Sequence, residues 1–176
     1  NVIKYTDFAI GDFIEKAKKK PWFKNTVFVI MSDHCAISAG RWALDVKNYH
    51  VPALIFNLPN IPNQKVDQLC SQIDMFPTLF SALNWDYNSN LFGKDILSMQ
   101  PEDERAFIGN YRKLGFLKDN KLMVLSEQKQ IDYYQYNKED NSLSPISIDA
   151  NILKKTTSFY QTTDYLYQSG GLKLKD

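Results

Sequence analysis

A chain of 176 residues with 44% hydrophobic content can bury one core and is too short for two ordinary ones. Its charges nearly cancel at +1 and its lysines are spread along the chain, which argues against a nucleic-acid partner. The longest apolar run, residues 27–31, is far shorter than the ~20 residues that a membrane-spanning helix needs. The composition therefore predicts one globular domain.

The first predicted element is an amphipathic helix. Apolar residues recur at steps of three and four from Val2 to Ala17, and we expect the helix to run to about Lys20, before Pro21. The lysines near its end suit the negative end of the helix dipole. This basic run is therefore interpreted as a solvated helix end and not as a binding patch.

Two strands are predicted next, joined by a long loop over residues 32–50. Residues 26–31 form an apolar run without alternation, as expected of a central strand covered on both faces. Residues 53–56 form a second strand, entered through Pro52. A helix followed by a buried strand is typical of α/β folds, so we expect a mostly parallel sheet flanked by helices, with these two strands parallel.

The remaining elements are a short helix, a meander and a final helix. Asp74 is the predicted N-cap of a helix that runs to Leu83, with Pro77 in its first turn. After Pro101, short strand candidates at 106–109, 115–117, 122–125 and 131–136 predict an antiparallel meander. A last helix is predicted over 148–167, before a pair of glycines. No motif in this region points to chemistry.

Asp33 and His34 are candidate metal ligands. They follow the predicted central strand, and ligands of α/β sheets gather beyond the carboxyl ends of strands. An adjacent carboxylate and imidazole offer an oxygen and a nitrogen ligand, which suits zinc or manganese. The alternative from the residues alone is structural, because aspartate also caps turns and histidine often completes a local hydrogen-bond network.

Arg41 and His50 are candidate substrate-binding residues in the same loop. The guanidinium of Arg41 is shaped to hold two oxygens of a phosphate or sulfate. His50 precedes Val51 and Pro52, which favours extended backbone at its position. Each residue alone is more often an ordinary surface residue. Because both lie in one loop, we expect them to face the same cleft.

Four segments in order resemble the sulfatase domain of lipoteichoic acid synthase-like proteins, in the alkaline phosphatase superfamily. They are NTVFVIMSDH at 25–34, YHVPALIF at 49–56, SQIDMFPTLF at 71–80 and FGKDIL at 92–97. The resemblance covers about residues 1–126. It implies that Asp33 and His34 bind a divalent metal, manganese or zinc with magnesium also possible. It also implies that Arg41 and His50 stand where relatives place basic residues that touch substrate or a second metal.

The resemblance further implies a nucleophile upstream of this chain, a threonine or serine on an earlier strand beside an acidic metal ligand. The metal would depress the pKa of that nucleophile and neutralise oxyanion charge. Cys35 does not fit the Cys-x-Pro-x-Arg segment of true arylsulfatases, and neither Ser32 nor Ser38 sits where the family has its nucleophile. This portion alone is therefore expected to be inactive.

The implied activity is that of a metal-dependent phosphoryl-group transferase or hydrolase, acting on a phospholipid head group or on a phosphate or sulfate ester. The alternatives are a hydrolase of simple phosphate or sulfate monoesters, and a non-catalytic binding or assembly module that keeps the fold. Cell-membrane localisation is implied, with membrane helices upstream and the catalytic domain periplasmic or extracellular.

The chain opens at Asn1 without a methionine or a leader, so we expect it to belong to a longer protein. Residues 1–100 would then be the C-terminal half of the catalytic domain, and residues 101–176 would complete the same domain. Cys35 and Cys70 are too few for a disulfide framework, and free thiols are favoured over a single bridge.

Overall fold

The structure is a computed structural model that describes residues 2–35, 40–59 and 61–174. The chain divides into two compact units. The first consists of Asn1–Ser32 and Pro52–Ile61, and the second of Asp33–Val51 and Pro62–Asp176. The assignment of residues 1–100 and 101–176 to parts of one catalytic domain stays a prediction.

The first unit consists of one helix and a two-stranded ribbon. Helix α1 spans Val2–Ala17, β1 spans Phe28–Met31 and β2 spans Ala53–Phe56. The helix ends three residues before the predicted Lys20. Aromatic rings pack around Phe28, whose centroid lies 5.7 Å from that of Phe23 and 6.0 Å from those of Phe13 and Phe56. Strand β2 spans the predicted residues. Strand β1 ends where the sequence predicts and begins two residues later.

The predicted parallel pairing of these strands is wrong. Strands β1 and β2 are antiparallel, with Phe28 opposite Phe56 and Met31 opposite Ala53. The mostly parallel sheet is not confirmed, because every strand pair of the described residues is antiparallel. An apolar run without alternation reports burial and carries no information on strand direction. The prediction that β1 is a central strand covered on both faces is also wrong, because the strand is half-buried, its last residue is exposed, and it pairs with β2 in a two-stranded sheet.

Antiparallel pairing has a consequence for the loop between the strands. The backbone N–H of Ser32 donates to the carbonyl of Pro52 at 3.3 Å, which continues the ribbon beyond the strands. Parallel neighbours would need a connection that runs from the carboxyl end of one strand back to the amino end of the next. In the antiparallel ribbon the loop leaves and returns at the same end of the strands, so its two ends begin side by side.

The second unit is built on the predicted antiparallel meander, which is confirmed. Its strands are β3 (Ala106–Gly109), β4 (Lys113–Lys118), β5 (Lys121–Ser126), β6 (Ile131–Asn137) and β7 (Ser142–Pro145). They pair in sequence order, each with the next. Strand β7 extends the sheet beyond the four strands predicted.

Both faces of this sheet are covered. One face packs against the loop that follows His34. The residues buried there are Leu44, Val46, Ala106, Ile108, Leu117, Leu122, Val124, Tyr136 and Leu143. On the other face Phe116 is fully buried, and its ring stacks at 5.8 Å on Phe159 of the last helix, α3 (Ala150–Ser169). Because successive side chains of a strand point to opposite faces of the sheet, the two sets of buried residues lie on opposite faces.

The remaining helix, α2, spans Met75–Ala82 and matches its prediction, apart from the role of Asp74. Asp74 holds the N-cap position, but its side chain does not cap this helix. It accepts instead from the backbone N–H of Ser71 and of Lys94, each at 2.8 Å, and from the guanidinium of Arg105. Among residues 2–35, 40–59 and 61–174, no helix is both long and apolar enough to cross a bilayer.

Candidate metal and anion site

Asp33 and His34 contact each other directly at the start of the long loop. The backbone N–H of His34 donates to Asp33 Oδ1 at 2.9 Å, and His34 Nε2 lies 3.3 Å from Asp33 Oδ2. The other ring nitrogen, Nδ1, lies 2.8 Å from the backbone carbonyl of Cys35. Both side chains are largely exposed, at 84% for Asp33 and 78% for His34. The Cys35 carbonyl on one side and the Asp33 carboxylate on the other thus orient the imidazole.

The contact with Cys35 decides which nitrogen of His34 is available. A carbonyl oxygen only accepts, so Nδ1 carries the proton of this hydrogen bond and donates it. In the neutral ring, Nε2 then carries the lone pair, on the side of the Asp33 carboxylate. Orientation of a metal-binding histidine by a carbonyl on its other nitrogen is the usual arrangement in metal sites. A doubly protonated ring would instead make an ion pair with Asp33.

The distance between Nε2 and Oδ2 fits two ligands of one metal ion. Two atoms bonded at ~2.1 Å to a tetrahedral ion lie ~3.4 Å apart. The observed separation is 3.3 Å. Within the described residues, however, no group of three or more histidine, cysteine, aspartate or glutamate side chains could hold a metal. Asp33 and His34 therefore fit part of a ligand set.

Arg41 is held in the same loop through its backbone. Its N–H donates to Asp45 Oδ2 at 2.8 Å, and its guanidinium carbon lies 5.2 Å from the centroid of the Trp42 ring. The residue is exposed, so the cation is partly supported by an aromatic face and still open to solvent. This arrangement leaves the guanidinium donors able to bind an anion.

His50 lies at the far end of the loop. It is exposed, and its backbone is extended, with φ −79° and ψ 92°; the steric effect of Pro52 itself applies to Val51. Next to it, burial first and then Cys35 raise the pKa of Tyr49, so the Tyr49 phenol and the Cys35 thiol are within electrostatic range. Cys35 follows His34 directly.

The structure thus brings Asp33 and His34 into contact and places Arg41 and His50 on one loop that begins at that pair. Ser38 lies outside the described residues. The backbone of Ser32 belongs to the ribbon, where its N–H donates to Pro52. Cys35 and Cys70 are not joined by a disulfide, as the sequence favours.

Two polar residues of the site region escaped the sequence reasoning. Asp45 is only 6% exposed and receives hydrogen bonds from Arg41 and from Asn141, which is 96 residues away along the chain. A carboxylate between the apolar residues Leu44 and Val46 is a signal that could have marked Asp45 as a buried acceptor. Nothing near Asn141 in the sequence marks it as a partner.

Comparison with known proteins gives consistent matches. Residues 1–85 match the model of the sulfatase family. The chain is 26% identical over 136 residues to phosphoglycerol transferase I of Salmonella newport, which is 77% of this chain and 18% of that protein. It is 30% identical over 114 residues to a lipoteichoic acid synthase-like protein of Bacillus subtilis, which is 54% of this chain and 18% of that protein.

A solved structure is also similar. It is a protein of the alkaline phosphatase superfamily from Vibrio parahaemolyticus, 31% identical, with a TM-score of 0.91 over 99% of this chain and 43% of that chain. The chain therefore spans less than half the length of these relatives. The fold of the described residues is that of the corresponding part of the solved protein.

Proposed function

We propose that this chain, which is similar to the sulfatase family and to a solved protein of the alkaline phosphatase superfamily, supplies metal ligands and an anion-binding loop to a phosphoryl-group transferase or hydrolase. Its relatives include phosphoglycerol transferases. We therefore favour a phosphoglycerol-type substrate, a phospholipid head group or a related phosphate ester. A sulfate ester is the closest alternative chemistry.

The observation that carries the proposal is the arrangement of Asp33 and His34. An oxygen and a nitrogen lie 3.3 Å apart, and the opposite ring nitrogen is occupied by the Cys35 carbonyl. Together they would hold a divalent metal, manganese or zinc with magnesium also possible. Such a metal would supply a Lewis acid that lowers the pKa of a nucleophile and neutralises charge on the transferred group.

Arg41 and His50 would bind the substrate. The Arg41 guanidinium can hold two oxygens of a phosphate, and its planar fork makes lysine a poor substitute. His50 stands at the end of the same loop and would contact the same bound group. Both residues would lower the cost of bringing an anion to the site, and neither is needed to hold the metal.

The rest of the site would come from upstream residues of the same domain. A threonine or serine nucleophile and an acidic metal ligand are expected there, and the protein would be anchored in the cell membrane with this domain on its periplasmic or extracellular side. Exposed apolar side chains on α1 support an upstream partner: Val2, Ile3, Tyr5 and Phe8 are 69–82% exposed. A helix with such a face gains from being covered.

The test is the metal content of the complete protein after extensive dialysis. Wild type should retain manganese or zinc, and Asp33→Ala and His34→Ala should each lose it together with hydrolysis or transfer of a phospholipid head group. Asp86→Ala, which removes an exposed aspartate elsewhere, is the matched control and should retain both. Equal and negligible metal in all four proteins, even after loading, would leave a non-catalytic module.

A substrate screen separates the two enzymatic alternatives. The complete protein is offered a phospholipid donor, a simple phosphate monoester and a simple sulfate monoester under the same conditions. We expect turnover of the phospholipid donor to exceed that of both monoesters. Preference for either monoester would assign the protein to the hydrolases of simple esters.

A further inference from the structure

We infer that Asn141, in the turn between β6 and β7, is a positioning residue for the anion-binding side of the site. It acts through Asp45 on the loop that carries Arg41. The inference rests on the proposed role of Arg41, and it gives the meander a function that its sequence does not suggest. The metal side of the site, at Asp33 and His34, is expected to be independent of it.

Asn141 binds the loop at three points. Its side-chain amide donates from Nδ2 to Asp45 Oδ1 at 2.7 Å, and its Oδ1 accepts from the backbone N–H of Lys47 at 3.3 Å. Its backbone carbonyl accepts from Trp42 Nε1 at 2.9 Å. One residue of the meander therefore contacts the loop on both sides of Asp45.

Asp45 passes this restraint on to Arg41. Its second carboxylate oxygen, Oδ2, accepts from the Arg41 backbone N–H at 2.8 Å. Asp45 is only 6% exposed, so both oxygens depend on these protein donors and little water is available to replace them. Gly40 fits closely here, since a Cβ at that position would lie 2.4 Å from Asp45 Cβ. The orientation of the Asp45 carboxylate therefore fixes the position of the Arg41 backbone.

Asparagine suits position 141 for two reasons. The residue has φ +57°, a left-handed conformation that asparagine tolerates better than most residues. Its amide also gives a donor to Asp45 and an acceptor to Lys47 at the same time. Aspartate would keep the conformation and the acceptor, but it would set a second carboxylate against Asp45.

The loop has a separate apolar anchorage, so losing the polar contacts should displace Arg41 without unfolding the unit. Leu44 and Val46 flank Asp45 and are 2% and 9% exposed in the core of the meander. Asn110 adds a hydrogen bond from Nδ2 to the Ala43 carbonyl at 3.2 Å. These contacts do not involve Asn141.

The experiment uses Asn141→Asp in the complete, metal-loaded protein, with inorganic phosphate as the probe. Asn120→Asp is the matched control, because Asn120 is an exposed asparagine with φ +54° in the β4–β5 turn. The rescue variant combines Asn141→Asp with Asp45→Asn. An asparagine at 45 can donate to an aspartate at 141 and still accept from Arg41, while the new carboxylate still accepts from Lys47.

We expect Asn141→Asp to weaken the binding of inorganic phosphate by about ten-fold and to raise the KM for a phosphate ester by the same factor. This is the effect of losing one charge-assisted hydrogen bond. Metal content and kcat should change less than two-fold, and the double variant should recover most of the lost affinity. Unchanged phosphate binding, an equal loss in Asn120→Asp, or a parallel loss of metal would overturn the positioning role. If wild type itself binds neither metal nor phosphate, the proposed function fails and this inference fails with it.

Discussion

Asp74 and Arg105 face each other across two parallel hydrogen bonds in the interior of the second unit. Arg105 Nη1 donates to Asp74 Oδ2 at 2.7 Å and Nη2 donates to Oδ1 at 2.8 Å. The Asp74 side chain is fully buried and that of Arg105 is 4% exposed. With the backbone donors of Ser71 and Lys94, the carboxylate receives four hydrogen bonds. The pair joins the start of α2, the segment before Lys94 and the strand β3.

The first prediction is that Asp74→Ala destabilises the protein by about 3–5 kcal/mol, because it leaves the Arg105 charge buried and unpaired. Urea unfolding measures the loss. Asp103→Ala is the matched control, since Asp103 pairs with Lys94 at 2.6 Å but both side chains are 40–46% exposed. That variant should have a much smaller effect, because solvent screens the exposed pair. If the two variants were destabilised equally, burial of the pair formed by Asp74 and Arg105 would not explain the loss.

A second prediction concerns stability in alkaline solution. Burial raises the pKa of Tyr160 to about 12, against the ordinary value of 10.0, and its hydroxyl donates to the Gly115 carbonyl at 2.7 Å. Above pH 10 the unfolded chain loses this proton first, so the free energy of unfolding falls as pH rises from about 10 to about 12. Below pH 10 the contribution is fully present.

Tyr160→Phe should remove this part of the pH dependence, on the order of 2 kcal/mol between pH 10 and pH 12. At neutral pH the same variant should lose about 1 kcal/mol from the missing hydrogen bond. Urea unfolding at pH 8, 10 and 12 measures both effects. Tyr165→Phe, at a 69% exposed position of the same helix, is the control and should leave the profile unchanged.

The third prediction separates the two sides of the site. Arg41→Ala and His50→Ala should raise KM for a phosphate ester at least ten-fold while the dialysed protein keeps its metal, because neither side chain is assigned to the metal. His34→Ala should lose the metal as well. Elemental analysis and steady-state kinetics on the complete protein test this together. Loss of metal in His50→Ala would instead make His50 a ligand.

The fourth prediction concerns the two thiols. Denatured protein treated with a maleimide without reductant should gain two adducts in its intact mass, because neither Cys35 nor Cys70 is in a disulfide. In the folded protein, burial and then the charge of Asp74 raise the pKa of Cys70. In Cys35→Ser, labelling of the remaining thiol should therefore be slow at pH 7 and should accelerate at a higher pH than in the unfolded chain.

Local patterns in the sequence were enough to locate most elements. Strand β2 and the meander strands follow from short runs of strand-forming residues between turn signals, and α1 follows from three- and four-residue periodicity. The helix ends were less accurate, since Lys18 to Lys20 continue the favourable composition beyond the last hydrogen-bonded turn. Family resemblance from ordered motifs is confirmed by the sulfatase match and by the solved relative.

The sequence could not predict which residues and strands pair when they are far apart along the chain, or in which direction the strands run. The direction of β2 against β1 depends on how the loop packs, and an apolar run is compatible with either direction. The hydrogen bonds of Asp45 with Asn141 and of Asp74 with Arg105 join residues that are 96 and 31 positions apart. Each partner alone has the usual composition of a turn or a strand end, so neither bond can be read from local pattern.

The order of the meander strands also bears on how the chain reaches this structure. Each strand pairs with its neighbour in sequence through a short turn, so the sheet needs only small loops to close. The bond between Trp42 and Asn141 closes a separation of 99 residues. Because contacts between nearby residues form faster than distant ones, we expect the sheet to form first and the Arg41 loop to dock last. The chain would then acquire the proposed anion-binding surface at the final stage of folding.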